Sequence, residues 1–168
     1  MEDVVAAVLR QWQQLRPDLD TAPMALIGRL NRCSALLQQA ADAPLIAAGL
    51  TRPEFDILGT LRRVDRDLTP SQLARETFAS GAAITKRVRL LAERGLIERR
   101  PDGRDRRVVH LSLSDAGLEL IDRLLPEQLG YEAALLSGVD AKQQDELSEG
   151  LSRLLVVLEG RLGGLLPY

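Results

Sequence analysis

The sequence predicts a mainly α protein carrying one small β-hairpin. Three observations support this. Aromatic residues are only 3% of the 168, so the core must be built from leucine, isoleucine, valine and alanine, a composition that suits packed helices. Apolar residues recur at three- and four-residue spacing along most of the chain, the mark of amphipathic helices. In one stretch the period changes to two: Val109, Leu111 and Leu113 alternate with His110 and Ser112, as in a half-buried strand.

Asp3 is placed to cap a first helix from Val4 to Leu15, with Val5, Val8, Leu9 and Trp12 on one face. The segment RPDLDTAP breaks it with two prolines. Thr21 or Ala22 precedes a second helix, with Pro23 suited to its first turn. Leu26, Ile27, Leu30, Cys33, Leu36 and Leu37 form its apolar stripe. Ala43–Pro44 perturbs or ends that helix, and Gly49 closes the segment. Thr51 and Glu54 have capping-box spacing at the head of the next helix, whose stripe is Phe55, Leu58 and Leu61. After the polar loop VDRD, Thr69 caps a short helix with Pro70 at its first position, and Leu73, Ala74 and Phe78 point inward. The turn ASG leads into a helix from Gly81 to Arg94 that buries Ile84, Val88 and Leu91 and ends at Gly95. LIERR and VVHLSLS read as short strands, with Asp102–Gly103 as the turn dipeptide between them. Ser114 caps a long helix in which Pro126 is a candidate kink. Asp140 caps the last helix, where Leu147, Leu151, Leu154, Leu155, Leu158 and Leu162 share a stripe.

Composition excludes several classes. One cysteine rules out an intrachain disulfide, and one histidine and one cysteine leave almost nothing for a transition-metal site. No Ser/His/Asp set or phosphate loop is present, and SGAAITKR lacks the glycine spacing of a P-loop. We therefore expect neither an enzyme nor a cofactor. The amino terminus has no basic region ahead of an apolar run, and no apolar run reaches the ~20 residues of a membrane span. A cytoplasmic protein without membrane contact is the expectation.

Net charge is −2, which alone argues against a polyanionic partner. Its distribution argues the other way. Between Ser80 and Arg107 nine basic residues stand against four acidic ones, a basic face on an acidic body. Two short helices joined by a tight turn form a helix-turn-helix, and the hairpin that follows makes it winged. A helix entering the major groove reads base edges with residues near its amino end. Ser80, Thr85, Lys86 and Arg89 lie away from the buried Ile84/Val88/Leu91 face and are the candidates for this. The hairpin tip, with Arg104 and Arg106, suits the narrow, electronegative minor groove. The apolar stripes of the first helix and the last two exceed what one domain core can cover, so a homodimer is expected. Two recognition helices would then lie about one DNA turn apart, roughly 10 bp or a multiple, on a pseudo-palindromic operator of double-stranded DNA. The expected organisation is residues 1–50 as amino-terminal dimerisation helices, 51–113 as the winged helix-turn-helix domain, and 114–168 as carboxy-terminal dimerisation helices. A protein-only dimerisation module is the competing class, but it has no use for an arginine-rich wing.

The stretch SGAAITKRVRLLAERGLIERRPDGRDRRVVHLSLSDAG resembles the MarR family, the multiple antibiotic resistance regulators. Its pattern is a recognition helix, GLI.R, D.RD.R leading into a strand, and L(S/T)..G. Asp102, Arg104, Asp105 and Arg107 occupy the third element, and Ser114 and Gly117 the last. The order of elements agrees from about Pro23 to Leu162. The resemblance implies a dimeric winged-helix transcription factor, usually a repressor, released by small ligands, and makes Arg107 the wing's structural arginine. Trp12 through Arg32, with the pattern W...RPDLD..PM...GRL.R, is similar to the urate-responsive subset of that family. That likeness implies a pocket for a small aromatic anion, urate-like or phenolic, held by Trp12, Asp56, Arg87 and Arg99. Asp56 would pair with Arg87 when the pocket is empty. The chain departs from the pattern in a VDRD loop two residues shorter and in Leu90, where the family often has arginine. Oxidant sensing through Cys33, on the apolar face of the second helix, is the alternative mode of regulation.

Overall fold

The computed structural model describes residues 2–40, 42–77, 79–103, 105 and 108–162. The chain divides into two compact units, Met1–Ala43 and Pro44–Tyr168.

The amino-terminal unit is a helical hairpin of α1 (Val4–Leu15) and α2 (Ala22–Gln39). Asp3 caps α1: its Oδ1 accepts from the N–H of Ala6 at 2.9 Å. Its Oδ2 accepts from Nε and Nη2 of Arg29 at 3.1 and 3.0 Å, which ties the head of α1 to α2. A Cβ on Gly28 would lie 3.0 Å from Cγ1 of Val5, so this glycine lets the helices approach. Arg16 closes on Asp18 through two hydrogen bonds of 2.9 and 2.7 Å. Asp20, not Thr21, gives α2 its acceptor, to the N–H of Ala22 at 3.0 Å. The residues that carry the RPDLD and GRL pattern thus build this hairpin. The expectation that Ala43–Pro44 ends α2 is corrected. The helix stops at Gln39, and Pro44 lies in the first turn of a separate helix, α3 (Ala43–Ala47). A proline is tolerated there because first-turn N–H groups have no intrahelical partner.

The second unit holds α4 (Arg52–Val64), α5 (Pro70–Glu76), α6 (Gly81–Glu93), β1 (Ile97–Pro101), β2 (Val109–Leu113), α7 (Asp115–Leu135) and α8 (Ala141–Leu162). Glu54 accepts from the N–H and hydroxyl of Thr51, both at 2.8 Å. Gln72 accepts from the N–H of Thr69 at 2.9 Å, while Thr69 Oγ1 accepts from the N–H of Gln72 at 3.3 Å. Each helix therefore starts where its local sequence supplies acceptors for orphan N–H groups. The core is aliphatic: Leu45, Ile57, Leu58, Leu68, Leu73, Ile84, Leu91, Leu111, Ile121 and Leu124 are fully enclosed.

Three features differ from the sequence expectation. Leu45 of α3 and Ile121 and Leu124 of α7 belong to this core, so boundaries after 50 and 113 cut through packed structure. Ile121 and Leu124 of α7 are consumed inside the chain, while Leu118, Leu125, Leu129 and Leu135 of the same helix stay exposed. Second, β1 and β2 pair antiparallel from Ile97↔Leu113 to Pro101↔Val109, leaving residues 102–108 as the connection. Asp102–Gly103 is therefore not a two-residue turn, and Gly103 does not adopt positive φ. Third, Leu68 adds a one-residue bridge to the sheet, exchanging hydrogen bonds of 3.0 and 2.8 Å with Leu111. This fixes the hairpin to the loop before α5.

Helix α6 ends at Glu93, one residue earlier than expected. Arg94 is the cap, and Gly95 turns the chain at φ +71°. Arg94 Nη1 donates to the carbonyl of Gly49 at 2.9 Å, so it braces the fold and leaves the basic face. On the other side of α4, Arg62 grips Asp122 at 2.7 and 3.1 Å, and Arg52 reaches Glu132 at 2.8 Å. These pairs join α4 to α7 at both ends.

Candidate nucleic-acid interface and ligand cleft

The buried stripe of α6 dictates what the helix presents outward. With Ile84, Val88 and Leu91 enclosed, the residues a half-turn away, Ala82, Thr85, Lys86 and Arg89, are exposed. Ser80 is the cap: its Oγ accepts from the N–H of Ala83 at 3.3 Å. Thr85 Oγ1 donates to the carbonyl of Gly81 at 2.9 Å. Both hydroxyls stay exposed at the amino end of α6, where helix polarity favours an anion. Lys86 makes no ion pair with the described residues. Arg89 sits 3.6 Å from Glu93, one turn on, with both side chains exposed, a weak pair that an anion can displace.

In the wing, Arg104, Arg106 and Arg107 lie outside the described residues. The frame that carries them is described. Arg100 forms an ion pair with Asp67, from the loop between α4 and α5. Asp102 accepts at Oδ1 from the N–H of Asp105 at 3.0 Å, and its own N–H donates to the carbonyl of Val108 at 2.9 Å. His110 places Nε2 3.0 Å from Oδ2 of Asp102. The sequence carries no local signal for either pairing, because each joins distant residues. Among the described residues no group of three or more His, Cys, Asp or Glu is placed to hold a metal.

Of the expected ligand residues in the second unit, Arg87 lines a cleft. An open cleft of about 500 Å³ lies between the head of α4 and the outer face of α6. Arg87 and Lys86 line it together with Thr51, Pro53, Glu54 and Leu90. Asp56 and Arg99 do not. Arg99 is exposed on β1 opposite Leu111. The expected Asp56–Arg87 ion pair is corrected: Arg87 is half-buried and makes no ion pair with the described residues. Trp12 is 40% exposed on α1 of the amino-terminal unit, and Cys33 is exposed on α2.

Comparison with known proteins gives this geometry a context. Residues 48–108, from the end of α3 through the wing connection, match the model of the MarR family. Over 152 residues the chain is 36% identical to the HTH-type transcriptional regulator PecS of Dickeya dadantii, covering 89% of this chain and 92% of that one. The chain belongs to the MarR family. It is a transcriptional regulator of that family, and its hairpin and helices match the winged helix-turn-helix architecture of solved members. One is the organohalide-sensing regulator RdhR-CbdbA1625 in its 2,4-dichlorophenol-bound form. It superposes with a TM-score of 0.73 at 20% identity, covering 82% of this chain and 81% of that one. Another is a MepR mutant of S. aureus bound to an oligodeoxyribonucleotide, with a TM-score of 0.53 at 23% identity over 79% of this chain and 97% of that one. The MarR-family pattern also acquires physical reasons. Gly95 supplies a positive φ, Ser114 caps α7 through the N–H of Gly117 at 3.0 Å, and Gly117 itself is sterically required. No helix among the described residues is long and apolar enough to cross a membrane.

Proposed function

We propose that this MarR-family regulator is a homodimeric repressor that binds a pseudo-palindromic operator and is released by a small aromatic anion. The observation that carries DNA binding is the exposed face of α6, which holds Ser80, Thr85, Lys86 and Arg89 outward beside a braced wing. The oligonucleotide complex of its structural relative MepR supports the same reading. Lys86 and Arg89 contact phosphate or base edges in the major groove, while Arg104 and Arg106 enter the minor groove.

The homodimer is supported by apolar surface that the single chain leaves open. Leu147 is 58% exposed and Leu155 55% on α8, and Val8, Leu26, Ile27 and Leu37 are exposed on α1 and α2. Large apolar side chains left exposed in such number on each of these helices mark an interface. The ligand is supported by two cations lining the cleft against the apolar Leu90 and Pro53. A chlorinated phenol bound by RdhR-CbdbA1625 supports the aromatic class. Trp12, Asp56 and Arg99 are implied by the family resemblance alone, so Arg87 with Lys86 carries the ligand reading.

The test is selection of bound sequences from random duplex DNA, repeated with urate, salicylate and other aromatic anions, with mass measured in solution. We expect a palindromic site, a dimer, and release by at least one anion. A monomer, or no enrichment at low salt, overturns the reading.

A further inference from the structure

The cleft beside α4 and the outward face of α6 use two strips of one helix, and the strips meet at a single residue. The cleft strip is Ala83, Lys86, Arg87 and Leu90. The outward strip is Ala82, Thr85, Lys86 and Arg89, all exposed. Each has the three- and four-residue spacing of one helix face. Successive residues turn about 100° round an α-helix, which centres the two strips about 100° apart with Lys86 on their common border. Ile84, Val88 and Leu91 fill the enclosed side. The other two cations of α6 belong to one strip each, Arg87 to the cleft and Arg89 to the outward face.

A lysine ammonium is a compact charge on a flexible four-carbon stem. Lys86 is exposed and makes no ion pair with the described residues, so it is available to both sides. Glu54 is the carboxylate of the cleft, and it is held by Thr51, whose N–H and hydroxyl both donate to it at 2.8 Å. An anion seated beside Arg87 therefore finds Lys86 as its second cation. An ammonium drawn into the cleft is withdrawn from DNA phosphate. Coupling of this kind needs no change in the fold, only a contact that each ligand makes when the other is absent.

We infer that an aromatic anion in the cleft weakens DNA binding by taking Lys86 from phosphate, so that the coupling is no larger than that one contact in each protomer. The inference rests on the proposed DNA face and ligand cleft, and it assigns the step that joins them. Linkage makes it reciprocal: bound DNA must weaken the anion by the same factor.

The experiment measures operator affinity at several salt concentrations, with and without salicylate, for wild type, Lys86→Ala and Arg89→Ala. Calorimetry follows salicylate binding to each free protein. Saturating salicylate should lower the wild-type slope of log K against log salt by about 0.9 per protomer, the signature of one phosphate contact. Lys86→Ala without salicylate should match salicylate-saturated wild type within about threefold, and salicylate should then change its affinity by less than about twofold, because both perturbations remove the same contact. Arg89→Ala loses a charge from the outward strip alone and should keep the wild-type salicylate response. A wild-type response in Lys86→Ala, or a lost response in Arg89→Ala, overturns the inference and leaves release by an aromatic anion standing. Should Lys86→Ala no longer bind salicylate, the wild-type slopes decide. A fall equal to about two contacts or more per protomer would mean that α6 leaves the groove as a body, and the inference is refuted. Salicylate that binds wild type without weakening its hold on DNA overturns the inference and counts against the release reading. Absence of binding by salicylate and urate alike removes the ligand reading, and this inference with it.

Discussion

Gly117 of α7 lies so close to Leu96 that a Cβ at this position would overlap the Leu96 carbonyl oxygen. Ser114 enforces the approach. Its N–H donates to the same carbonyl at 3.2 Å, its hydroxyl donates to the carbonyl of Gly95 at 2.6 Å, and it accepts from the N–H of Gly117. The start of α7 is thus pressed onto the junction between α6 and β1. Gly117→Ala should cost about 1–3 kcal/mol, the usual penalty of overpacking against an unyielding neighbour. Gly59→Ala is the control, since its Cβ would meet nothing within 4 Å. It should gain about 0.5–1 kcal/mol from helix propensity. Urea unfolding of both variants checks this, and equal effects would discard the steric account.

Most of the fold was legible because its signals are local. Thr51–Glu54, Thr69–Gln72, Ser114 and Asp140 announce helix starts within three residues, and the stripe Ile84/Val88/Leu91 states which face of α6 is buried. What escaped depends on distance in sequence. Leu68 forms a single-residue bridge with no alternation to reveal it. Arg94 finds the carbonyl of Gly49 45 residues away, and nothing in the composition separates it from the arginines facing outward. The stripe on α7 shows that Ile121 and Leu124 are buried but not against what. The site divides the same way. The outward face of α6 follows from periodicity, whereas the grouping of Arg87 with Lys86, Thr51 and Glu54 depends on how two helices cross.

Acid should destabilise the protein through its exposed carboxylate pairs. Hydrogen bonds from Arg62 hold Asp122 below its ordinary range, and Arg16 does the same for Asp18. For Asp3 the N–H of Ala6 is the larger cause, followed by Arg29. A carboxylate depressed in the folded state adds stability above its unfolded pKa, near 4, and loses it as pH falls through the folded value. The urea midpoint should therefore fall between about pH 5 and about pH 2, and Asp122→Asn should show a smaller fall than wild type. An unchanged acid dependence in that variant would mean the Arg62–Asp122 pair contributes nothing in solution, as some surface pairs do.

If Lys86 and Arg89 meet phosphate, their loss should weaken binding to all sequences alike. Each contact releases a condensed counterion, so Lys86→Ala and Arg89→Ala should each lower the slope of log K against log salt by about 0.9. A base contact behaves differently: it costs about 1–3 kcal/mol at one operator position and relaxes the preference there. Binding measured at several salt concentrations on specific and scrambled duplexes separates the two. Unchanged affinity and slope for both variants would remove α6 from the interface.

Arg87 and Arg99 together separate the cleft from the ligand set that the sequence resemblance implies, because only Arg87 belongs to both. Arg87 is half-buried, makes no ion pair with the described residues, and lines the cleft with Lys86; if the proposed anion binds there, its carboxylate or phenolate meets this cation. A hydrogen bond to a charged group contributes about 1.5–3 kcal/mol. Arg87→Ala should therefore raise the anion concentration needed for DNA release about tenfold or more while leaving the oligomeric state unchanged. Arg99→Ala, outside the cleft, should shift it by less than about threefold. The two variants are compared by titrating salicylate or urate into the preformed DNA complex. A large shift for Arg99→Ala with little for Arg87→Ala would move the ligand away from the α4–α6 cleft and toward the wing strand.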